Sequence, residues 1–244
     1  FVLVSADRMV NWCPHLRTVL SDIEVDYETI DHPTKLALPG RAAGSEMIEF
    51  GVMHNFAYPL YDNAEGQHDE IVVGTTRLET MLGDAAVVVH PEDDRYARYI
   101  GRHVKHPIHG HRLPVIADSE LVDMAMGSGA VKITPAHDPN DFACAERHQL
   151  PIVSMMDDQG CINAVGAADT EFFGVDRFVA REMLVEQLES MGLYRGRDPH
   201  PMRLARCSRS GDVIEQMVKP QWFVQLHSTG VASSTGGSPA AETT

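Results

Sequence analysis

The 244-residue sequence predicts an α+β protein, a β-barrel-like core with a few peripheral helices. Three observations carry that expectation. Short β-branched runs recur along the chain, bounded by glycine, proline, asparagine and aspartate. Only residues 176–191 hold apolar side chains at a sustained 3–4 spacing. The chain has neither a regular strand–helix alternation nor a repeat period, so a doubly wound sheet is not indicated.

In chain order, residues 1–30 contain two apolar patches, and Ser21-Asp22 with Glu24 breaks the chain before a strand at 23–30. Residues 31–46 hold Pro33, Pro39, Gly40 and Gly44 and read as linker. A strand over 47–60 ends at Pro59, and the polar run 61–70 forms a hairpin loop. Ile71-Val72-Val73 is a short strand leading into Gly-Thr-Thr-Arg-Leu-Glu-Thr at 74–80. Residues 85–90 form another strand, ended by Pro91, and 92–100 read as a short helix with an acidic first turn. Residues 107–117 alternate short strands and turns, and 151–165 read as a strand pair around Asp157-Asp158-Gln159-Gly160. The helix at 176–191 has Asp176 as cap and Gly192 as stop, with Phe178, Val179, Met183, Leu184, Leu188 and Met191 on its apolar side. Residues 199–226 are extended. The serine-, threonine- and glycine-rich stretch 227–244 has too little apolar bulk to order itself.

Composition sets limits on function. A net charge of −15 excludes a surface that grips nucleic acid along its whole length. Two stretches run against that balance: 102–112, with Arg102, Lys105, Arg112 and four histidines, and 195–209, with five arginines. The four cysteines, Cys13, Cys144, Cys161 and Cys207, show no CxxC spacing and read as reduced thiols. The chain begins at Phe1 and has no membrane-length apolar run, so a soluble intracellular piece of a longer protein is expected.

Residues 127–142, GSGAVKITPAHDPNDF, concentrate the chemistry. Ala130 to Thr134 read as a short strand with Lys132 and Thr134 on one face. Asp138 followed by Pro139 is the pattern of a helix N-cap with proline at the first helical position, which puts Asp141 on the first turn. The helix dipole favours ionised carboxylates there. Two charged carboxylates suit an ammonium ligand; capping and dipole complementation alone would also explain them.

Four stretches in order, NWCPHLRTVLSDIEVDY, GTTRLETMLGD, GSGAVKITPAHDPNDF and RCSRSGDVIEQMVKPQWFV, resemble the editing domain of the valyl-tRNA synthetase family, the connective insertion of the class I enzymes for valine, isoleucine and leucine. The resemblance covers residues 8–226. It implies connecting segments at 1–38 and 199–226, an editing domain at 39–198 and a disordered tail at 227–244. The HIGH-type and KMSKS-type activation signatures are absent from these residues, so ATP and Mg belong to a parent enzyme, and editing is expected to need no cofactor.

Threonine is isosteric with valine, and a hydrophobic pocket rejects it poorly, so such enzymes need a second site that hydrolyses threonyl-tRNA. The resemblance gives Asp141 the substrate α-ammonium. It gives Lys132, Thr134 and Asp138 the threonine hydroxyl and the scissile ester. Thr75 and Thr76 would position substrate or water, and Arg77 would meet the terminal adenosine or its phosphate. Met126 stands where phenylalanine is common, facing the adenosine, and Leu78 where proline is usual. Asp141, Thr76, Lys132 and Asp138 are the expected catalytic set. Water would attack directly, with His137 a structural residue of the turn. The partners implied are the 3′ acceptor end of tRNA(Val) and its threonyl-adenosine, with no membrane, a monomeric state and a cytoplasmic or mitochondrial parent. Competing readings are an isoleucyl-type domain that removes valine and a non-catalytic binder of the tRNA end. No zinc is expected: His103, His106, His109 and His111 match no standard spacing, and Cys13-Pro14-His15-Leu16 and Cys207-Ser208-Arg209-Ser210 keep one cysteine each where a zinc knuckle has two. Cys13 and Cys207 should lie close together.

Overall fold

The structure, a computed structural model, describes residues 2–39, 47–63 and 68–225. The strands are β1 (Val2–Cys13), β2 (Thr18–Leu20), β3 (Val25–Ile30), β4 (Thr34–Leu36), β5 (Ile48–Phe50), β6 (Val52–Pro59), β7 (Glu70–Thr75), β8 (Ala86–Val89), β9 (His103–Lys105), β10 (Arg112–Ala117) and β11 (Ala130–Ile133). The helices α1 (Pro139–His148), α2 (Ala164–Ala167) and α3 (Arg177–Ser190) follow, then β12 (Tyr194–Pro199), β13 (Met202–Cys207) and β14 (Glu215–Gln225). This is the expected α+β composition with a β-rich core. The strands form separate sheets, in the orders β14-β1-β2, β11-β8-β10-β9, β12-β6-β7, β13-β3 and β4-β5, and none closes on itself among the described residues. Residues 40–46 of the expected linker, 64–67 of the hairpin loop and the stretch 227–244 lie outside the described residues.

The described chain falls into two units. The smaller holds residues 2–8 and 219–225, where the Arg8 guanidinium lies over the Phe223 ring at 5.8 Å. The larger, Met9–Val218, contains every feature described below. Its main core joins Phe56, Tyr58, Ile71 and Val73 of the β6–β7 hairpin to Val87 of β8 and Leu184 and Leu188 of α3. The segment that connects β7 to β8 is a buried 3-10 turn, Leu78–Gly83, and α3 packs against it. Strands β3 and β13 pair antiparallel with Val25 opposite Cys207, which brings Cys13 and Cys207 into one apolar cluster with Leu20 and Ile214. Among the described residues no helix is long and apolar enough to cross a membrane.

Several local expectations are corrected. The strand read from residue 23 begins at Val25, because Ser21 and Glu24 close a capping box around a 3-10 turn that leaves Ile23 93% exposed. Residues 34–36, read as linker, pair with β5. Residues 92–100 are turns with a 3-10 stretch, Ala97–Tyr99: the buried Asp93 carboxylate accepts from Arg95 N and folds its own turn instead of capping a helix. The expected pair at 151–165 is reduced to a bridge between Met156 and Ile162, followed by α2.

Helix α3 was legible in period but not in face. Its buried stripe is Arg177, Phe178, Ala180, Arg181, Leu184 and Leu188, so two arginines take positions that a hydropathy pattern reads as solvent-facing. Val179 is 48% exposed and Met191 44%. Leu184→Ala should therefore lower the free energy of unfolding by about 2–5 kcal/mol, whereas Val179→Lys should change it by no more than about 0.5 kcal/mol, both read from denaturant midpoints at unchanged slope.

Candidate active site

A cavity of about 240 Å³ opens in the larger unit, lined by Met53, Gly74, Thr75, Thr76, Arg77, Thr80, Val131, Lys132, Thr134, His137, Asp138, Asp141 and His200. Seven of the eight residues picked from sequence thus meet in one place. Each arrives on a different device. Strand β7 ends at Thr75, whose Oγ1 accepts from Arg77 N (3.1 Å) and turns the chain so that Thr76 faces the cavity. Strand β11 carries Lys132, and Thr134 follows on the same face. Helix α1 supplies the two carboxylates.

Asp138 is the N-cap of α1: its Oδ1 accepts from Asn140 N (2.8 Å) and Asp141 N (3.1 Å), with Pro139 first in the helix. Asp141 Oδ2 accepts from Thr134 N at 2.8 Å, tying the helix start to the end of β11. Among the described residues, Oδ2 of Asp138 and Oδ1 of Asp141 accept no hydrogen bond, which leaves both open to a ligand in the cavity they line.

Lys132 is buried, and its three N–H donors are all taken. They go to Thr80 Oγ1 (2.7 Å), Asp84 Oδ1 (3.0 Å) and Thr134 Oγ1 (2.5 Å). Its contribution at the cavity is therefore charge and not a free N–H. Asp84, at the end of the 3-10 turn, is held on its other side by the Tyr58 hydroxyl. Burial raises the pKa of Asp84, with Lys132, Thr134 and Tyr58 pulling the other way.

Arg77 lines the cavity but is engaged within the protein. It donates to His137 O (2.8 Å) and to Glu215, with its Nε 3.9 Å from Glu79. It belongs to a row of alternating charge, Arg181–Glu79–Arg77–Glu215–Arg177. In that row Arg181 donates twice to Glu79 (2.7 and 2.8 Å) and Arg177 donates to Glu215 (2.9 Å). Burial alone would raise the Glu215 carboxyl, but Arg77, the His137 ring and Arg177 outweigh it and hold it well below the usual carboxylate range. His137 is structural, as expected: its Nε2 accepts from Met155 N (3.2 Å), which leaves the ring proton on Nδ1 facing Glu215 at 3.3 Å.

Two expectations fail. Met126 is 64% exposed and does not line the cavity. Its turn is fastened to another segment, with Arg95 donating to Met124 O (3.0 Å) and Tyr96 to Ser128 O (2.8 Å), so the side chain points to the surface. The two carboxylates were also expected to stay charged. Burial instead pushes the Asp141 carboxyl up to about 7, with Lys132 opposing and Asp138 reinforcing the rise. Desolvation of a whole side chain outweighs a helix-end dipole.

Most arginines of the two basic stretches are engaged by neighbouring side chains, those of 195–209 chiefly by acids and those of 102–112 by tyrosine rings. Arg195 pairs with Glu70 (2.6 Å), Arg197 with Glu49, Arg206 with Glu28 (2.8 Å) and Arg209 with Glu24 (3.4 Å), while Arg203 covers the Tyr27 ring at 4.4 Å. Arg112 lies over the Tyr61 ring at 4.1 Å and Arg102 over Tyr99 at 5.8 Å. Among the stacked histidines, His106 is not available to a cation. His106 donates from Nε2 to Met81 O (2.8 Å) and accepts at Nδ1 from His109 N (3.0 Å), so neither nitrogen is left to ligate. Asp118, Cys144 and His148 converge, but Arg147 donates twice to Asp118 Oδ2 (2.8 and 3.1 Å) and fills that position with its own positive charge.

The family described as "Leucyl-tRNA synthetase, editing domain" matches residues 97–171. The chain is 46% identical over 224 residues to a protein named probable valine–tRNA ligase, mitochondrial, of Dictyostelium discoideum, covering 92% of this chain and 21% of that protein. It is 49% identical over 223 residues to valine–tRNA ligase, mitochondrial 1, of Arabidopsis thaliana (91% and 19%) and 43% over 233 residues to valine–tRNA ligase of Homo sapiens (96% and 18%). It spans about a fifth of the length of these relatives. A β-rich α+β fold around a cavity of threonines and helix-start carboxylates is thus that of an editing domain of the class I aminoacyl-tRNA synthetases. Within that class, the chain belongs to the valyl-tRNA synthetase family.

The raised Asp141 pKa makes both stability and cation binding depend on pH. In the folded state the group keeps its proton to about pH 7, while in the unfolded chain it ionises near 4. Its contribution to stability is fully present below about pH 4 and is lost as pH rises through about 7. Asp141→Asn removes that loss, so the variant should gain in Tm over the unsubstituted chain between pH 5 and pH 8, measured by thermal melts at both values. Binding of an ammonium ligand by the unsubstituted chain should strengthen over the same interval.

Proposed function

We propose that this domain hydrolyses the ester of threonyl-tRNA(Val), correcting tRNA mischarged by a valine–tRNA ligase of which it is a part. The carrying observation is the pair of open carboxylate oxygens of Asp138 and Asp141, facing the same cavity as Lys132, Thr134 and the Thr75–Arg77 turn. The α-ammonium of the substrate sits between the two carboxylates. Its charge compensates the cost of ionising Asp141, so ligand entry expels a proton from the site.

The ester is already activated by the neighbouring ammonium, so a positioned water suffices and no covalent intermediate forms. Thr76 orients the water or the substrate. Lys132 and Arg77, fixed by their partners, supply positive potential where charge develops on the ester oxygen. Only the 3′ acceptor end of the tRNA, with its threonyl-adenosine, enters the cavity. Editing needs no metal, and ATP and Mg serve the activation site of the parent. The domain acts as a monomer, in the cytoplasm or in mitochondria.

The test is hydrolysis of threonyl-tRNA and valyl-tRNA by the 244-residue chain and by Asp141→Ala. Threonyl-tRNA should be the better substrate, and Asp141→Ala should lower its kcat/KM about tenfold to a hundredfold, the worth of a hydrogen bond to a charged group. Equal hydrolysis by the variant would sink the site assignment. Preference for the valyl ester would make the domain an isoleucyl-type editor, and binding without turnover would make it a passive holder of the tRNA end. Chelation by EDTA should leave the rate unchanged; a loss restored by added zinc would overturn the metal-free reading.

A further inference from the structure

Two turns of one design meet where the start and the end of the larger unit come together. In the first, Arg17 N donates to Cys13 O (2.7 Å) and Arg17 takes a left-handed φ of 52°. In the second, Gly211 N donates to Cys207 O (2.7 Å) and Gly211 takes a φ of 74°. Each turn folds its own backbone over its cysteine sulfur. Leu16 N donates to Cys13 Sγ (3.4 Å), and Arg209 N and Ser210 N donate to Cys207 Sγ. The Ser210 hydroxyl bonds to both sulfurs, at 3.3 Å from that of Cys13, and the two thiols interact with each other. Both are free thiols, buried with Leu20, Val25 and Ile214. Hydrogen-bond donors aimed at sulfur favour the thiolate, which is the reactive form. Burial opposes ionisation of Cys207, but the Ser210 hydroxyl and the two backbone N–H groups outweigh it and hold this thiol below its ordinary value. At Cys13 burial prevails over Ser210 and Leu16 N and pushes the thiol up. The pair thus consists of a sulfur prepared to attack and a protonated neighbour beside it.

We propose that Cys13 and Cys207 are a dithiol modification site, at which hydrogen peroxide oxidises the pair to a disulfide that staples the start of the larger unit to its end. The co-reactant is water-sized because the sulfurs are buried and a bulky disulfide is excluded. A polar cavity of about 210 Å³, lined by Pro14, His15 and Arg17 of one turn and Asp212 beside the other, brings small molecules to both. Cys207 Sγ attacks one peroxide oxygen. The S–O bond forms, the O–O bond breaks, and the departing hydroxide leaves as water with the thiol proton. Cys13 Sγ then attacks the sulfenic sulfur. The S–S bond forms, the S–O bond breaks, and the hydroxyl leaves as a second water with the Cys13 proton. The two sulfurs lose two electrons and the peroxide gains them. Cys144, pushed up to about 12 by burial and by Asp118, is unsuited to this chemistry. The staple encloses nearly the whole of the larger unit, and a crosslink between points so distant in sequence restricts the unfolded chain strongly. The proposal is independent of the threonyl-ester reading above.

The test treats the folded 244-residue chain with hydrogen peroxide, blocks remaining thiols with N-ethylmaleimide and reads the product by mass spectrometry without reduction. Of the four cysteines, two should escape alkylation, and trypsin should release residues 9–17 joined to residues 207–209. Dithiothreitol should restore four alkylated sites. The oxidised chain should melt about 5–15 °C higher than the reduced chain, the worth of a disulfide in a domain of this size. Cys13→Ser should leave Cys207 as a sulfenic acid that dimedone traps, and Cys207→Ser should leave Cys13 untouched by the same treatment. A crosslink that forms only in denaturant, one that involves Cys144, Cys161 or a second chain, or oxidation of Cys207 to a sulfinic acid with no crosslink overturns the proposal. So does a Cys13–Cys207 bond that leaves Tm unchanged or lowers it, since a pair held ready for closure gains stability from it. Equal trapping of Cys13 in Cys207→Ser overturns the division of roles. Should a serine variant fail to fold, the peptide and the melt of the unsubstituted chain decide alone.

Discussion

The buried row Arg181–Glu79–Arg77–Glu215–Arg177 is the interaction on which the site depends. It joins α3, the turn after β7 and the start of β14, and through Arg77 and His137 it reaches the turn that leads into α1. Taking five charges out of water is expensive, and the alternation of sign is what makes the burial tolerable: every carboxylate lies between two guanidinium groups. Such a row gains little stability over a well-packed apolar alternative. It fixes geometry, because each member has one satisfactory arrangement and the loss of any member strands a charge.

A second polar assembly, Tyr58–Asp84–Lys132–Thr134–Thr80, stands behind the opposite part of the wall. In both assemblies the charged side chains are matched by partners within the protein. What remains open at the cavity is the pair of carboxylates on the first turn of α1. There the local and the global terms oppose each other: the helix end favours negative charge, and burial disfavours it more strongly for Asp141. The site is thus open to a cation at the start of α1.

What could be read from the sequence followed the range of the interaction. The cap at Asp138-Pro139, the first-turn position of Asp141 and the shared face of Lys132 and Thr134 depend on neighbours within a few residues, and all are found in the fold. Thr80 lay inside the threonine-rich segment and passed unnoticed, because nothing local says that its hydroxyl meets a lysine 52 residues on. Asp84, Glu79 and Glu215 were invisible for the same reason: Glu79 finds Arg181 across 102 residues and Glu215 finds Arg77 across 138. Hydropathy patterning also miscounts arginine, so the buried stripe of α3 was drawn through Val179 instead of Arg181. Met126 was placed by resemblance alone, and its turn is tied to the segment 93–96 by side chains that no local rule anticipates.

The paired arginines on β12 and β13 bear on the speed of an encounter. On a chain of net charge −15, four of the five arginines of the 195–209 stretch are paired with acids and the fifth covers a tyrosine ring, so the stretch projects little attractive field toward an incoming polyanion. Steered association, which speeds capture and collapses with added salt, is not available to this surface by itself. Arrival is then governed by diffusion of a short flexible end, or by tethering through other parts of a larger assembly that raise its local concentration. Selection falls to residence time inside the cavity, where the contacts are short-ranged and insensitive to ionic strength. The acidic exterior thus makes the domain slow to attract and leaves discrimination to the interior.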